Sequence, residues 1–304
     1  MRMLKQSGLA ISVAAGLFAC AAAMAQGVAP ATGTAPNAPK PSAASGDVDS
    51  SFKLIVEPRA MALLKAVSDK LSAAQSMSFT AMVGYEYPSK LGPPIVYTMQ
   101  YDVTMQRPDK LRILTPGDGP PSEFYYNGKE MVAYSPVENL AAVAPAPPTI
   151  EGALKAAYET ASIFYPFTDL LVSDPYKAMT NGVVLAFYIG PSSVFGGVKT
   201  DMMAWANDDV FLQIWVGAED KLPRRIRAVY KNDPLRLRHE MEITNWKLGA
   251  DTSADAFSSA KAQAAPRMPF KSPVPPPKGA KPLTVQDSAK PVAPPPGATP
   301  AKTN

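Results

Sequence analysis

One cysteine and one histidine occur in 304 residues. Cys20 sits near the N-terminus, and His239 falls on the apolar phase of a strand-like run. A zinc or copper site therefore has no set of thiolates or imidazoles to build on. A lone histidine on an apolar strand face reads as a core residue. The chain also lacks a G-x-S-x-G elbow, a Walker loop and a Rossmann glycine set. Asp208 and Asp209 are adjacent carboxylates, but turn chemistry explains them. Two acids acting together must converge across a cleft. No catalytic residue, metal ligand or cofactor is expected, and an enzyme is disfavoured. A hydrolase with acids drawn from distant strands stays open. Basic and aromatic residues are not interleaved as a nucleic-acid surface requires, so no nucleic-acid partner is expected.

What the chain has in quantity is proline, 33 residues, concentrated in its two ends. Arg2 and Lys5 precede an apolar run from Leu9 to Phe18 and the small-residue site Ala23-Met24-Ala25. This is a secretory signal peptide, residues 1–25, cleaved between Ala25 and Gln26. The run is too short to span a bilayer, so the mature chain has no transmembrane segment. A competing feature, Leu17-Phe18-Ala19-Cys20, resembles a lipobox and would give a lipid-anchored protein through Cys20. Residues 26–51, rich in Ala, Pro, Gly and Ser, read as a flexible spacer. Residues 261–304, rich in Pro, Ala and Lys, read as a disordered tail. One domain, residues 52–260, remains between them.

That domain is organised around residues 95–107, IVYTMQYDVTMQR. Ile95, Tyr97, Met99, Tyr101, Val103 and Met105 alternate with Thr98, Gln100, Asp102, Thr104 and Gln106. Period-two alternation of this length predicts a long strand with one apolar and one wet face. Arg107 closes the run in phase with the apolar face. Either the strand frays there, or a guanidinium stands at the mouth of an apolar hollow. A helix is expected over 58–74, from Met61, Leu64, Val67 and Leu71. A strand follows with Phe79, Val83 and Tyr85 on one face. Short strands around 111–114, 123–126 and 131–134 come next, with Asn127-Gly128 as a hairpin turn. Prolines 145, 147 and 148 break this meander. A helical stretch capped by Thr149 then runs to about Phe164, with Leu154 and Phe164 on its apolar stripe, and a second piece covers 167–172. This insert is either a lid or an ordinary crossover. Five more strands complete an α+β chain built on one large, mostly antiparallel sheet. Its inward face is rich in Met, Tyr and Phe, which suits either flexible acyl guests or an ordinary packed core.

Six segments occur in order: Phe124-Tyr125-Tyr126-Asn127-Gly128-Lys129, Pro145-Ala146-Pro147-Pro148-Thr149-Ile150, Gln213-Ile214-Trp215-Val216, Leu222-Pro223-Arg224-Arg225, Asn232-Asp233-Pro234 and Asn245-Trp246-Lys247-Leu248. Over residues 55–260 the chain resembles a family of periplasmic proteins of unknown function from Gram-negative bacteria. That family is similar in turn to the Lol-type lipoprotein carriers and to mycobacterial lipid-binding lipoproteins. Arg107-Pro108-Asp109-Lys110-Leu111 resembles the carriers' Arg-Pro-Asn-Leu-Phe segment.

The resemblance implies a half-open antiparallel barrel with an N-terminal helix and a helical lid, lipoprotein-carrier-like. It implies that Arg107 latches the lid, which Ile150, Leu154 and Phe164 help to form. It implies a cavity lined by Phe79, Val83, Tyr85, Tyr97, Met99, Tyr101, Val103, Met105 and Leu111. Leu111 stands where the carriers have an aromatic residue. The expected protein is a monomer in the periplasm that binds a lipid or acylated protein, with an envelope partner protein. The rival expectation is an envelope interaction module with a filled core and a partner-binding Pro-rich tail.

Overall fold

A computed structural model describes residues 55–272, except 91, 118 and 196. The signal peptide with its cleavage at Ala25 and Gln26, Cys20, the spacer, and the tail from 273 onward lie outside the described residues. Helix α1 (Pro58–Ala73) leads into β1 (Ser76–Tyr87), β2 (Ile95–Gln106), β3 (Lys110–Thr115), β4 (Ser122–Tyr126), β5 (Glu130–Ser135) and β6 (Leu140–Pro145). Three short helices follow: α2 (Ile150–Ala161), α3 (Thr168–Leu171) and α4 (Pro175–Thr180). The second run of strands is β7 (Leu185–Ser192), β8 (Thr200–Ala206), β9 (Val210–Gly217), β10 (Pro223–Tyr230) and β11 (Arg238–Leu248). A 3₁₀ turn (Ala254–Phe257), α5 (Ala260–Ala264) and β12 (Arg267–Met268) close the described chain.

All strands form one sheet in the order β12-β6-β5-β4-β3-β2-β1-β11-β10-β9-β8-β7. Two antiparallel meanders are thus joined side by side where β11 pairs with β1. The two edges do not pair, so this is an α+β fold on an open, curved antiparallel sheet. The short β12 runs parallel beside β6, and Val56 makes an isolated parallel bridge to Ala186. Strand alternation sends Phe124 and Tyr126 to the face covered by helices and Tyr125 to the opposite one. The Asn127-Gly128 and Asn207-Asp208-Asp209 hairpin turns work by one device, a side-chain amide oxygen that accepts from the backbone N–H groups of the turn. Asn127 Oδ1 accepts from the backbone N–H groups of Lys129 and Glu130, and Asn207 Oδ1 from those of Asp209 and Val210.

The core lies between the sheet and α1–α4. Leu64, Val67 and Leu71 on α1 are buried, as the helical spacing requires, and Ala60 and Leu63 join them. Met61 is only half-buried. The helix packs against α3, α4 and β7. The opposite face of β3–β6 carries a smaller cluster of Tyr125, Val132, Tyr134 and Ala141, covered by Ala262 and Ala265.

The structure differs from the expected tail boundary at 261. Residues 260–272 continue the fold: Pro266 O accepts from Ala141 N at 3.0 Å, Phe270 is buried, and Ser272 N donates to Thr160 O at 3.0 Å. The chain here follows a sheet edge, where a proline that cannot donate is tolerated.

Candidate functional site

The β1–β2 ladder places the expected lining residues in register. Phe79 pairs with Val103, Val83 with Met99, Tyr85 with Tyr97, and Met77 with Met105. Directly paired antiparallel residues share a face, so these side chains form one surface. Leu111 extends it by pairing with Met105 across β3. Phe79, Val83, Tyr101, Val103, Met105 and Leu111 are buried, and Tyr85 and Met99 are half-buried. Tyr97 is the exception. It stands at the rim, 51% exposed, edge-on to Tyr87 with ring centroids 6.0 Å apart. The first residues of β2, Ile95 and Val96, are exposed beside it, because β2 runs beyond the covering helices.

Instead of an open hollow beside these residues, the structure has aromatic side chains from the segment between α2 and α3. Phe167 meets Phe79 edge-on at 5.6 Å and Tyr101 at 5.3 Å. Tyr165 meets Tyr101 at 6.0 Å and Phe124 at 5.8 Å. Burial pushes the Tyr165 and Tyr101 hydroxyls far above the ordinary phenol range, so both stay neutral. Of the expected lid residues, Ile150 and Leu154 are buried. Phe164 is only half-buried, and Tyr165 and Phe167 occupy the interior in its place. The reason is local. Helix α2 ends at Ala161 with Ser162 in the left-handed region at φ 57°, so the helical stripe does not continue to Phe164.

The start of the helical insert is tied down by short-range chemistry. Thr149 Oγ1 accepts from Gly152 N at 3.1 Å, capping α2. Gly152 leaves no room for a side chain without a shift of the chain, since a Cβ would lie 2.8 Å from Pro147 Cβ. Ile150 N donates to Pro108 O at 3.1 Å, and Tyr126 Oη donates to Pro147 O at 2.6 Å. The Arg107–Pro108 peptide bond is cis.

Arg107 points inward. Its Nε donates to Ala74 O at 3.2 Å and Nη2 to Leu71 O at 3.5 Å, at the C-terminal end of α1. Nη1 donates to Leu171 O at 3.1 Å and Nη2 to Val172 O at 2.9 Å, at the end of α3. The guanidinium thus spans two helix C-termini, where backbone carbonyls lack partners and the helix dipole favours a cation. Burial lowers its pKa, and the nearby Glu151 carboxylate raises it again. Glu151 in turn accepts from Ser173 N. Burial pushes the Glu151 carboxyl up, but backbone hydrogen bonds at Glu151 and Ser173 and the charge of Arg107 outweigh it and hold the pKa below 4.5.

His239 is half-buried, stacked at 6.3 Å on Tyr85 and edge-on to Tyr230 at 5.4 Å. Burial lowers its pKa. Among the described residues, no three His, Cys, Asp or Glu gather closely enough to hold a metal ion. None of their helices is long and apolar enough to cross a membrane. A small apolar void of about 20 Å³ remains between α3, α4 and β8–β11, against Leu170, Met179, Ile214 and Met241. No sequence motif marked it, because its lining is drawn from six elements far apart in the chain.

Several solved structures are similar to this chain. The lipoprotein LppX of Mycobacterium tuberculosis is 11% identical over 65% of this chain and 100% of its own, with a TM-score of 0.40. A LolA superfamily protein from Nitrosomonas europaea is 8% identical over 64% and 97%, with a TM-score of 0.31. MucB, in the Pseudomonas aeruginosa MucA/MucB complex, is 14% identical over 67% of this chain and 62% of its own, with a TM-score of 0.39. Similarity at this level carries no argument about function. No curated protein matches the chain. The family model described as predicted periplasmic protein (DUF2092) matches residues 60–271, and the chain belongs to that family.

Proposed function

We propose that this periplasmic protein binds a lipid, or the acyl chain of a lipoprotein, between its curved sheet and its helical lid, and carries out no reaction on it. The observation that supports this reading is the Arg107 clamp. The lid covers an apolar surface, yet a polar, reversible contact joins it to α1. Withdrawing the lid uncovers Leu154, Phe167, Leu170 and Leu171, at a cost of roughly 6–12 kcal/mol in total. Burying an acyl chain of some fifteen methylenes in their place returns about 12 kcal/mol. The two terms are of similar size, so exchange between closed and loaded forms is balanced and reversible.

The test is extraction from vesicles that carry a pyrene-labelled phospholipid. Excimer emission falls as the mature protein, residues 26–304, removes single lipids. Unchanged emission at excess protein sinks the reading. A second reading draws on the filled core and the small void: the lid is permanent, and the chain is an envelope interaction module. Unchanged emission is the outcome it requires.

A further inference from the structure

The end of the sheet at the β1–β2 turn exposes hydrocarbon and carries no acid of its own. Strand β3 pairs with β2 only over Asp102–Gln106, so the outer half of β2 is held by β1 alone. Ile95, Val96 and Tyr97 are 50%, 60% and 51% exposed there, directly after the exposed Pro93 and Pro94. From Tyr87 to Tyr101 the sole charge is Lys90. The β10–β11 turn lies at the same end, because β11 begins beside the end of β1: His239 pairs with Tyr85, and Arg238 is ion-paired with Glu86. That turn adds Leu235, 59% exposed, and Arg236. Its acid, Asp233, is occupied by the backbone N–H groups of Leu235 and Leu237. Asp208 and Asp209 lie on the far side, in the β8–β9 turn, where Lys231 donates to Asn207 O and Asp209 O. Single exposed apolar residues are ordinary, but a cluster from two turns at one end marks a contact surface.

From this we infer that the β1–β2 tip and the β10–β11 turn dock on the surface of a lipid bilayer with anionic head groups. Binding at such an interface grows with the apolar area immersed and with cations near the head groups. Ile95, Val96 and Leu235 supply the first, and Lys90 and Arg236 the second. Tyr97 has an apolar ring and a polar tip, the combination favoured at head-group depth. Pro93 and Pro94 have no N–H to leave unpaired at an apolar boundary. Prolines also blunt a strand edge, which disfavours a protein strand added beside β2. The inference goes beyond acyl binding and stands on this rim alone. The two fit together through the β1–β2 ladder. Its pairs run from Tyr87 and Ile95 at the tip, through Tyr85 with Tyr97 and Val83 with Met99, to the buried Phe79 and Val103. Docking would set the open end of the covered apolar face against the bilayer.

The experiment is flotation of the protein, purified from a bacterial periplasm without detergent, with phosphatidylcholine vesicles that contain or lack phosphatidylglycerol. The wild type should float with the mixed vesicles and less with phosphatidylcholine alone, and added salt should release part of it. Ile95→Asp combined with Val96→Asp should weaken binding about tenfold, since both apolar contacts are lost. Leu235→Asp, on the other turn, gives a second readout should the hairpin variant fold poorly. Lys90→Glu combined with Arg236→Glu should remove the preference for phosphatidylglycerol. Uptake of a short-chain phosphatidylcholine offered as monomers needs no docking and should be unchanged in all these variants. No flotation of the wild type overturns the inference and leaves the rim to a partner protein. Flotation that neither the hairpin variant nor Leu235→Asp reduces places the contact elsewhere and overturns it as well. Equal binding to both vesicles overturns the part given to the cations. Uptake without flotation leaves acyl binding standing and docking refuted, and flotation without uptake does the reverse.

Discussion

Arg107 and Val172 are 65 residues apart in sequence and are joined by a 2.9 Å hydrogen bond from the guanidinium to the carbonyl that follows α3. The same side chain reaches Ala74 O, just beyond α1. Arg107→Ala removes both ends of this bridge and leaves carbonyls without a donor. Amide exchange in α3 and in residues 171–173 should quicken by about ten- to a hundredfold, as expected for losing charge-assisted bonds of about 1.5–3 kcal/mol. Arg107→Lys should recover little, because a single ammonium does not reproduce the planar fork. Exchange at the wild-type rate in Arg107→Ala would show that packing alone holds the lid.

The helical insert should loosen in acid. Glu151 has a folded pKa below its ordinary 4.5, held there by hydrogen bonds at Ser173 and by Arg107. A depressed carboxyl contributes stability that is present above its unfolded value and is lost as pH falls through the folded one. Protection at Ser173, taken relative to the intrinsic exchange rate at each pH, should therefore fall on acidification from about pH 4.5 downward. Glu151→Gln should flatten that dependence. An identical pH profile in the variant would assign the acid response to another group.

Two glycines should respond differently. In Gly152→Ala the new methyl would sit 2.8 Å from Pro147 Cβ, so the chain entering α2 must shift, at about 1–3 kcal/mol. Gly84→Ala, on β1, meets nothing closer than 3.7 Å and should be nearly neutral. Thermal unfolding of the two variants checks this. Equal melting temperatures would contradict the close approach at α2.

Phe167→Ala should cost roughly 3–5 kcal/mol, as large aromatic truncations in cores do. It should also raise lipid extraction from vesicles, because the space next to Phe79 and Tyr101 becomes free for hydrocarbon. A variant that is destabilised but extracts no more lipid than the wild type would mean that this space is not reached by ligand.

The legible parts of the fold were those with a period. Strand β2 alternates without a break from Tyr97 to Gln106, so most of its extent and its faces could be read from the chain. Strand β6, Leu140–Pro145, escaped because its residues are mostly Ala and show no contrast between faces. Helix α4, Pro175–Thr180, is only six residues long, too short for a helical period to show. The substitution of Tyr165 and Phe167 for Phe164 in the core follows from one residue, Ser162, whose left-handed backbone resets the phase. The inward course of Arg107 was undecidable from alternation and came from the resemblance of its neighbouring motif. The void beside Trp205 joins side chains from six separate elements and their connections, which no local pattern records.

The measurement that tests acyl binding most directly is native mass spectrometry of the protein purified from a bacterial periplasm without detergent. The predicted result is a discrete added mass that dissociates as a lipid and is absent, or more readily lost, in Arg107→Ala. A single unliganded mass, unchanged after incubation with an envelope lipid extract, would contradict it and leave the filled-core interaction module as the function of this fold.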